Sequence, residues 1–161
     1  MNNPKFIVDL IPKTCFFTNV RSQVSTEAWD WLRKETYKQA KHTCEGCGSK
    51  GRMEAHEIWH YDDKKHIQKL HGLSCYCNMC HLSHHLGFAE INGKLPQVKN
   101  HLSKINNWTA SETELYIQSV FETWSKRSQY QWILDLQFLD DVGVPYNTIT
   151  AHDRKKISDN L

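Results

Sequence analysis

No stretch of this chain has the length of continuous apolar sequence that a membrane span requires. Its first residues, Met-Asn-Asn-Pro-Lys-Phe, lack the basic start and apolar run of a secretory signal, so a cytoplasmic protein is expected. Charge of one sign is scarce too. A formal net charge of +2 and a sequence pI near 8.2 leave no basic tail to announce a nucleic-acid partner. Low-complexity blocks are absent, and the one repeated feature is a pair of cysteine motifs. At 161 residues a single domain is expected, with an apolar core modest enough to benefit from a staple.

The staple is what the sequence does contain. Cys44-Glu-Gly-Cys47 and Cys77-Asn-Met-Cys80 can together supply the four thiolates of a closed tetrahedral zinc site. Six cysteines in a secreted protein would pair as disulfides, but without a signal sequence they read as reduced, with Cys15 and Cys75 left over as small buried residues. Histidines lie close by. His81 and His85, spaced i, i+4, project from one face of a helix and can grip one ion together, and Glu54-Ala-His56-Glu57 stands between the cysteine pairs. A candidate catalytic metal site therefore sits beside a structural one.

The elements around these motifs can be read from local signals. Residues 1–24 form short apolar runs broken by Pro4 and Pro12 and read as extended. Ser25 or Thr26 caps a helix running to about His42, with Trp29, Leu32 and Thr36 on one face. Met53 to Trp59 and Gly72 to Tyr76 read as two short strands joined through a polar loop at Tyr61 to Lys65. A helix from about Asn78 carries His81 and His85, and Gly87 is placed to end it. Pro96 opens a helix with Val98, Leu102 and Ile105 inward, and Ser111-x-x-Glu114 is a capping box for another, reaching Trp124. Alternation from Tyr130 to Phe138 predicts a strand, and the chain from Tyr146 is polar.

Cys44-x-x-Cys47, Glu54-Ala-His56-Glu57-Ile58, Leu73 to Cys77 and Cys80-His81-x-x-x-His85 together resemble the HNH, or His-Me finger, endonuclease module. The resemblance covers about residues 44–95. It implies an α+β fold in which a ββα-metal core, a hairpin followed by a helix around one catalytic metal, carries a structural zinc. N- and C-terminal helices over 1–43 and 96–145 would flank that core, with 146–161 as a polar end. The activity implied is metal-dependent hydrolysis of phosphodiester bonds in DNA, with RNA as the other substrate. An activated water attacks phosphorus on one side while the metal stabilises the leaving oxygen on the other.

The family's first strand supplies a metal ligand followed by the base. That pair falls on His56 and Glu57, which makes His56, His81 and His85 a three-imidazole site and Glu57 the candidate base, with His60 and His84 as substitutes if the strand or helix turns them inward. Such a donor set suits zinc, nickel, iron or manganese better than magnesium. A second register makes His56 the base and leaves Ala55 in the ligand position. The family's base-orienting asparagine falls at Gly72, so a degenerate module that binds nucleic acid or a protein without cleavage is the alternative. Basic residues near the cysteines, Lys50, Arg52, Lys64 and Lys65 among them, are the candidate phosphate contacts. His60, His66, His71, His84 and His101 read as surface or packing residues, and Trp29, Trp124 and Trp132 as core.

Overall fold

The computed structural model describes residues 3–16 and 19–147. The polar C-terminal stretch expected from Tyr146 lies almost wholly outside the described residues. Two long strands, β1 (Met53–Asp62) and β2 (Ile67–Cys77), pair antiparallel around a turn at residues 63–66. A short β3 (Ile133–Asp135) adds to β2 in parallel, so among the described residues β1 is an edge strand. Among the described residues, seven α-helices pack around this sheet: α1 (Val20–Gln23), α2 (Thr26–Gln39), α3 (Asn78–Ser83), α4 (Leu86–Ile91), α5 (Leu95–Asn106), α6 (Ala110–Arg127) and α7 (Gln137–Asp141). The expected α+β class is what the structure has.

Strand alternation sends side chains of the hairpin into two apolar clusters, one on each face. Trp59 and Tyr61 of β1 and Leu70 and Leu73 of β2 pack with Leu32 of α2 and Leu139 of α7. On the opposite face Ile58 and Tyr76 join Leu82, Leu86, Val98, Leu102, Tyr116 and Ile117 from α3 to α6. Leu70 and Leu73 share a face despite their odd spacing because the register shifts between Ile58 and Trp59, which leaves His71 as an extra residue on β2. Gly72 adjoins this bulge with φ +155°, a backbone conformation that a side chain would strain.

Several elements differ locally from expectation. Both hairpin strands are longer than predicted, because the cross-strand ladder and two packed faces carry them past the strongest apolar residues. The helix predicted through His85 breaks: α3 ends at Ser83, His84 caps it, and His85 is the N-cap of α4. Gly87 lies inside α4, and Gly93, with φ +66°, is the glycine that follows its end. The capping box of α6 is Thr109 and Glu112, not Ser111 and Glu114. Asn107 turns the chain in a left-handed conformation, and Thr109 is the residue with extended backbone next to the first helical turn. The strand predicted over 130–138 shortens to β3, since β2 offers only a brief stretch of pairing and the chain then turns into α7.

Lys13–Cys15 form a 3-10 turn and Val20–Gln23 form α1, where Asn19 caps the helix by accepting from the Ser22 amide. Residues 3–12 carry no helix, in line with the extended segment expected over 1–24, and side chains hold them. The buried Asn106 accepts hydrogen bonds from the Lys5 and Phe6 amides at 2.7 and 3.0 Å, and the Tyr116 hydroxyl accepts one from Val8 at 2.7 Å. Further along, Arg127 grips Asp63 of the hairpin turn through two hydrogen bonds and Asp9 through a third, while its guanidinium covers the Tyr61 ring. Replacing Asn106 by Ala strands the buried Phe6 amide and the part-buried Lys5 amide. It should cost about 1–3 kcal/mol in a urea unfolding measurement, against a few tenths for an exposed control such as Asn100→Ala.

Candidate metal centre

The first knuckle is shaped to present sulfur. Cys44 N–H donates to the Ser49 carbonyl and Gly48 N–H to the Cys44 carbonyl, both at 2.8 Å, closing a tight turn around Cys47. Gly46 has to be glycine here, because a Cβ would come within 2.8 Å of the Cys80 Sγ and of the Phe6 ring. Glu45 staples the knuckle to β2 by exchanging hydrogen bonds with Cys75, amide to carbonyl at 2.9 Å and Cys75 amide to Glu45 carboxylate at 2.7 Å. The second knuckle spans the end of β2 and the first turn of α3, so Cys77 and Cys80 arrive from the opposite side.

The four ligand sulfurs lie within 4.8 Å of one another, and all six cysteines are free thiols. Cys47 and Cys77 are separated by 3.7 Å between sulfurs. Sulfurs about 2.3 Å from a tetrahedral zinc sit about 3.8 Å apart, whereas a disulfide needs about 2.05 Å. The spacing therefore fits a metal. Electrostatics agree: burial pushes the Cys44 and Cys80 thiols up, and at Cys80 the neighbouring cysteines add to that. Burial also opposes ionisation of Cys77, but the Cys80 amide and the Ser49 hydroxyl draw it down to about 7. Four crowded thiolates repel one another, and a divalent cation relieves that repulsion. His101, from α5, adds a contact of 3.2 Å from its Nε2 to Cys80 Sγ, the outer-layer hydrogen bond that sequence spacing gave no means of finding. The cluster can thus hold a structural zinc.

A second cluster adjoins the first in sequence, since His81 follows Cys80 in α3. His56 from β1 and His81 and His85 from the α3–α4 junction bring their ring nitrogens within 4.8 Å of one another. Between His81 Nε2 and His85 Nε2 the separation is 3.4 Å. Two imidazole nitrogens about 2.0–2.1 Å from one tetrahedral ion stand about 3.3–3.4 Å apart, so this donor set also fits a metal. Glu54 holds the other nitrogen of His81, with its Oε2 2.5 Å from Nδ1, and accepts from Asn78 at 3.2 Å. That contact puts the proton on Nδ1 and turns the Nε2 lone pair toward His85. Its signal, a carboxylate two residues before His56 on the same strand face, was legible only once His81 was placed opposite.

His56 is buried, and both desolvation and the neighbouring His84, His81 and His85 rings hold its pKa far below the usual value. It is kept neutral, the form that ligates metal. Behind it lies His84, whose ring stacks on His56 at 4.1 Å and on Tyr76 at 5.3 Å. Burial lowers His84 to about 3, its Nδ1 accepts a long hydrogen bond of 3.5 Å from the Asp9 amide, and its buried Nε2 has no partner among the described residues. His84 is a packing residue, as expected, but one that supports the cluster.

Glu57 points to the other face of β1. Its Oε1 accepts from the Val20 amide at 2.5 Å and its Oε2 from the Trp59 indole at 3.2 Å, so it fastens the start of α1 to the strand. Burial raises its carboxyl to about 7 against the pull of these donors. Because β1 is an edge strand, both faces meet at one cleft of about 610 Å³, whose walls include His56, Glu57, His81, His85, Arg21 and Trp29. The predicted phosphate contacts are scattered instead. Lys50 and Arg52 are exposed beside the first knuckle, whereas Lys64 and Lys65 stand at the hairpin turn, beyond six residues or about 20 Å of strand from His56. Among the described residues, no helix is long and apolar enough to cross a membrane.

Compared with protein-family models, with curated proteins and with solved structures, the chain matches none. The class defined by its own geometry is an α+β protein with a four-cysteine cluster within metal-binding distance. Metal analysis of the purified protein should find one tightly held zinc per chain. Cys47→Ser should lose that zinc and lower the thermal midpoint by several degrees, measured by elemental analysis and calorimetry.

Proposed function

We propose that the protein is a metal-dependent endonuclease of the HNH type, hydrolysing phosphodiester bonds in DNA or RNA at the His56, His81 and His85 cluster. The observation that carries this reading is the convergence of one hairpin imidazole and two imidazoles of the α3–α4 junction beside a four-cysteine cluster at the hairpin's end. A divalent ion bound there, zinc, nickel, manganese or magnesium, would act as a Lewis acid toward the phosphate and the leaving oxygen. The chain's own residues do the positioning. Glu54 orients His81, His84 supports His56, and burial keeps His56 an uncharged donor.

Glu57 is the candidate base, since it lines the same cleft and its carboxyl, raised to about 7, is matched to accepting a proton near neutral pH. Each bonded oxygen retains a second lone pair for a water. In the other register His56 takes the proton, which leaves His81 and His85 as the ligands. A non-cleaving zinc-stapled module, binding nucleic acid or a protein, is the second reading. It is favoured by Gly72, whose backbone at the bulge suits glycine where the family places an orienting asparagine.

Single-stranded DNA, and supercoiled plasmid at the segments that its torsional strain unpairs, should be nicked by the native protein with manganese, nickel or magnesium. His85→Ala should lower the nicking rate about a hundredfold or more while leaving the cysteine-bound zinc and the fold unchanged. Glu57→Gln separates the registers: lost cleavage with unchanged metal content marks Glu57 as the base, and retained cleavage marks His56. Absence of cleavage of DNA and RNA with all three metals, while nucleic acid or a protein is still bound, would replace the nuclease by the binding module.

A further inference from the structure

The cleft that ends at the three imidazoles has walls of a different chemistry from a phosphate track. Phe16 and Phe88, 46% and 58% exposed, and the half-buried Trp29 and Trp124 line it, and Arg21, exposed at the second residue of α1, is the one Lys or Arg side chain among its described lining residues, with the Lys13 ammonium 5.1 Å from the Trp124 ring centroid. Its volume of about 610 Å³ is that of a small-molecule site. A protein that holds a duplex neutralises a series of backbone phosphates with lysine and arginine, and among the described residues Lys50, Arg52, Lys64 and Lys65 stand outside this cleft, at the knuckle and the hairpin turn. Aromatic walls with a single guanidinium suit another ligand. The faces of an unpaired base stack on such rings, whereas bases inside a duplex are already stacked on each other.

We propose that the Phe88, Trp29 and Arg21 cleft binds unpaired nucleotides next to the scissile phosphate, so that the substrate is single-stranded nucleic acid. The assignment of the scissile phosphate rests on the nuclease reading above, whereas the base-stacking cleft stands on its own walls. Phe88 is the side chain to test, because it projects from α4 beside His85 and belongs to neither apolar cluster.

The experiment measures binding apart from cleavage. Fluorescence anisotropy of the native, zinc-loaded protein without added metal is compared for a labelled strand of about twelve nucleotides, its duplex, the RNA of the same sequence and an abasic strand of the same length. The proposal expects single-strand binding about tenfold or more tighter than duplex binding at the same salt, loss of most of that binding with the abasic strand, and a weakening of about tenfold with Phe88→Ala that Phe88→Trp reverses. The tighter of DNA and RNA identifies the sugar. Equal or tighter duplex binding, full binding of the abasic strand, or an unchanged affinity in Phe88→Ala overturns it. Single-strand binding without cleavage would sink the nuclease reading alone, and cleavage of duplex without single-strand preference would sink this inference alone.

Discussion

Convergence of the two cysteine pairs is the constraint on which the remaining geometry depends. Cys44 and Cys47 sit on a loop before β1, while Cys77 and Cys80 straddle the junction of β2 with α3. Bringing four sulfurs within 4.8 Å fixes where α3 leaves the sheet and at what angle. A six-residue helix has little stability of its own, so its direction comes from such ties and from the apolar residues Leu82 and Leu86 that it and α4 bury. Since His81 follows Cys80 directly, the placement of the knuckle is also the placement of the first helix imidazole.

The histidine cluster is then built by layers outward from that junction. The break between α3 and α4 at His84 and His85 lets one ring stack behind His56 while the next joins it in front. A continuous helix would separate residues 84 and 85 by 100° around its axis and keep their backbones regular; the non-helical φ −122° and ψ 50° of His85 show that the chain turns here instead. Burial does the electrostatic part. Four imidazoles in contact are tolerable only if most are uncharged, and desolvation lowers His56, His84 and His85 alike.

The flanks complete the site rather than decorate it. The extended N-terminal segment is held by Asn106, Tyr116 and Arg127 and contributes Leu10 and Ile11 to the cleft wall, and Glu57 fastens α1 so that Arg21 and Asn19 reach the same opening. An edge strand usually exposes unpaired backbone groups as a hazard. Here β1 lies beside a cleft, and its position at the sheet edge is what lets residues from both of its faces, His56 and Glu57, line a single cavity.

Local spacing by itself determined the cysteine knuckles and the amphipathic faces of α2 and α5, because each depends on residues only a few positions apart. Three features were decided by tertiary structure alone. The bulge beside Gly72 reset the parity of β2, the helix broke under the demand to bury His84, and Glu57 was drawn to the Val20 amide across the sheet from His56. Glu54, His84 and His101 likewise gained their roles from partners that are distant in sequence or on another element. Donor identity is a local property of a sequence. Which face a donor presents, and which hydrogen bonds already occupy it, follow from packing between elements far apart along the chain.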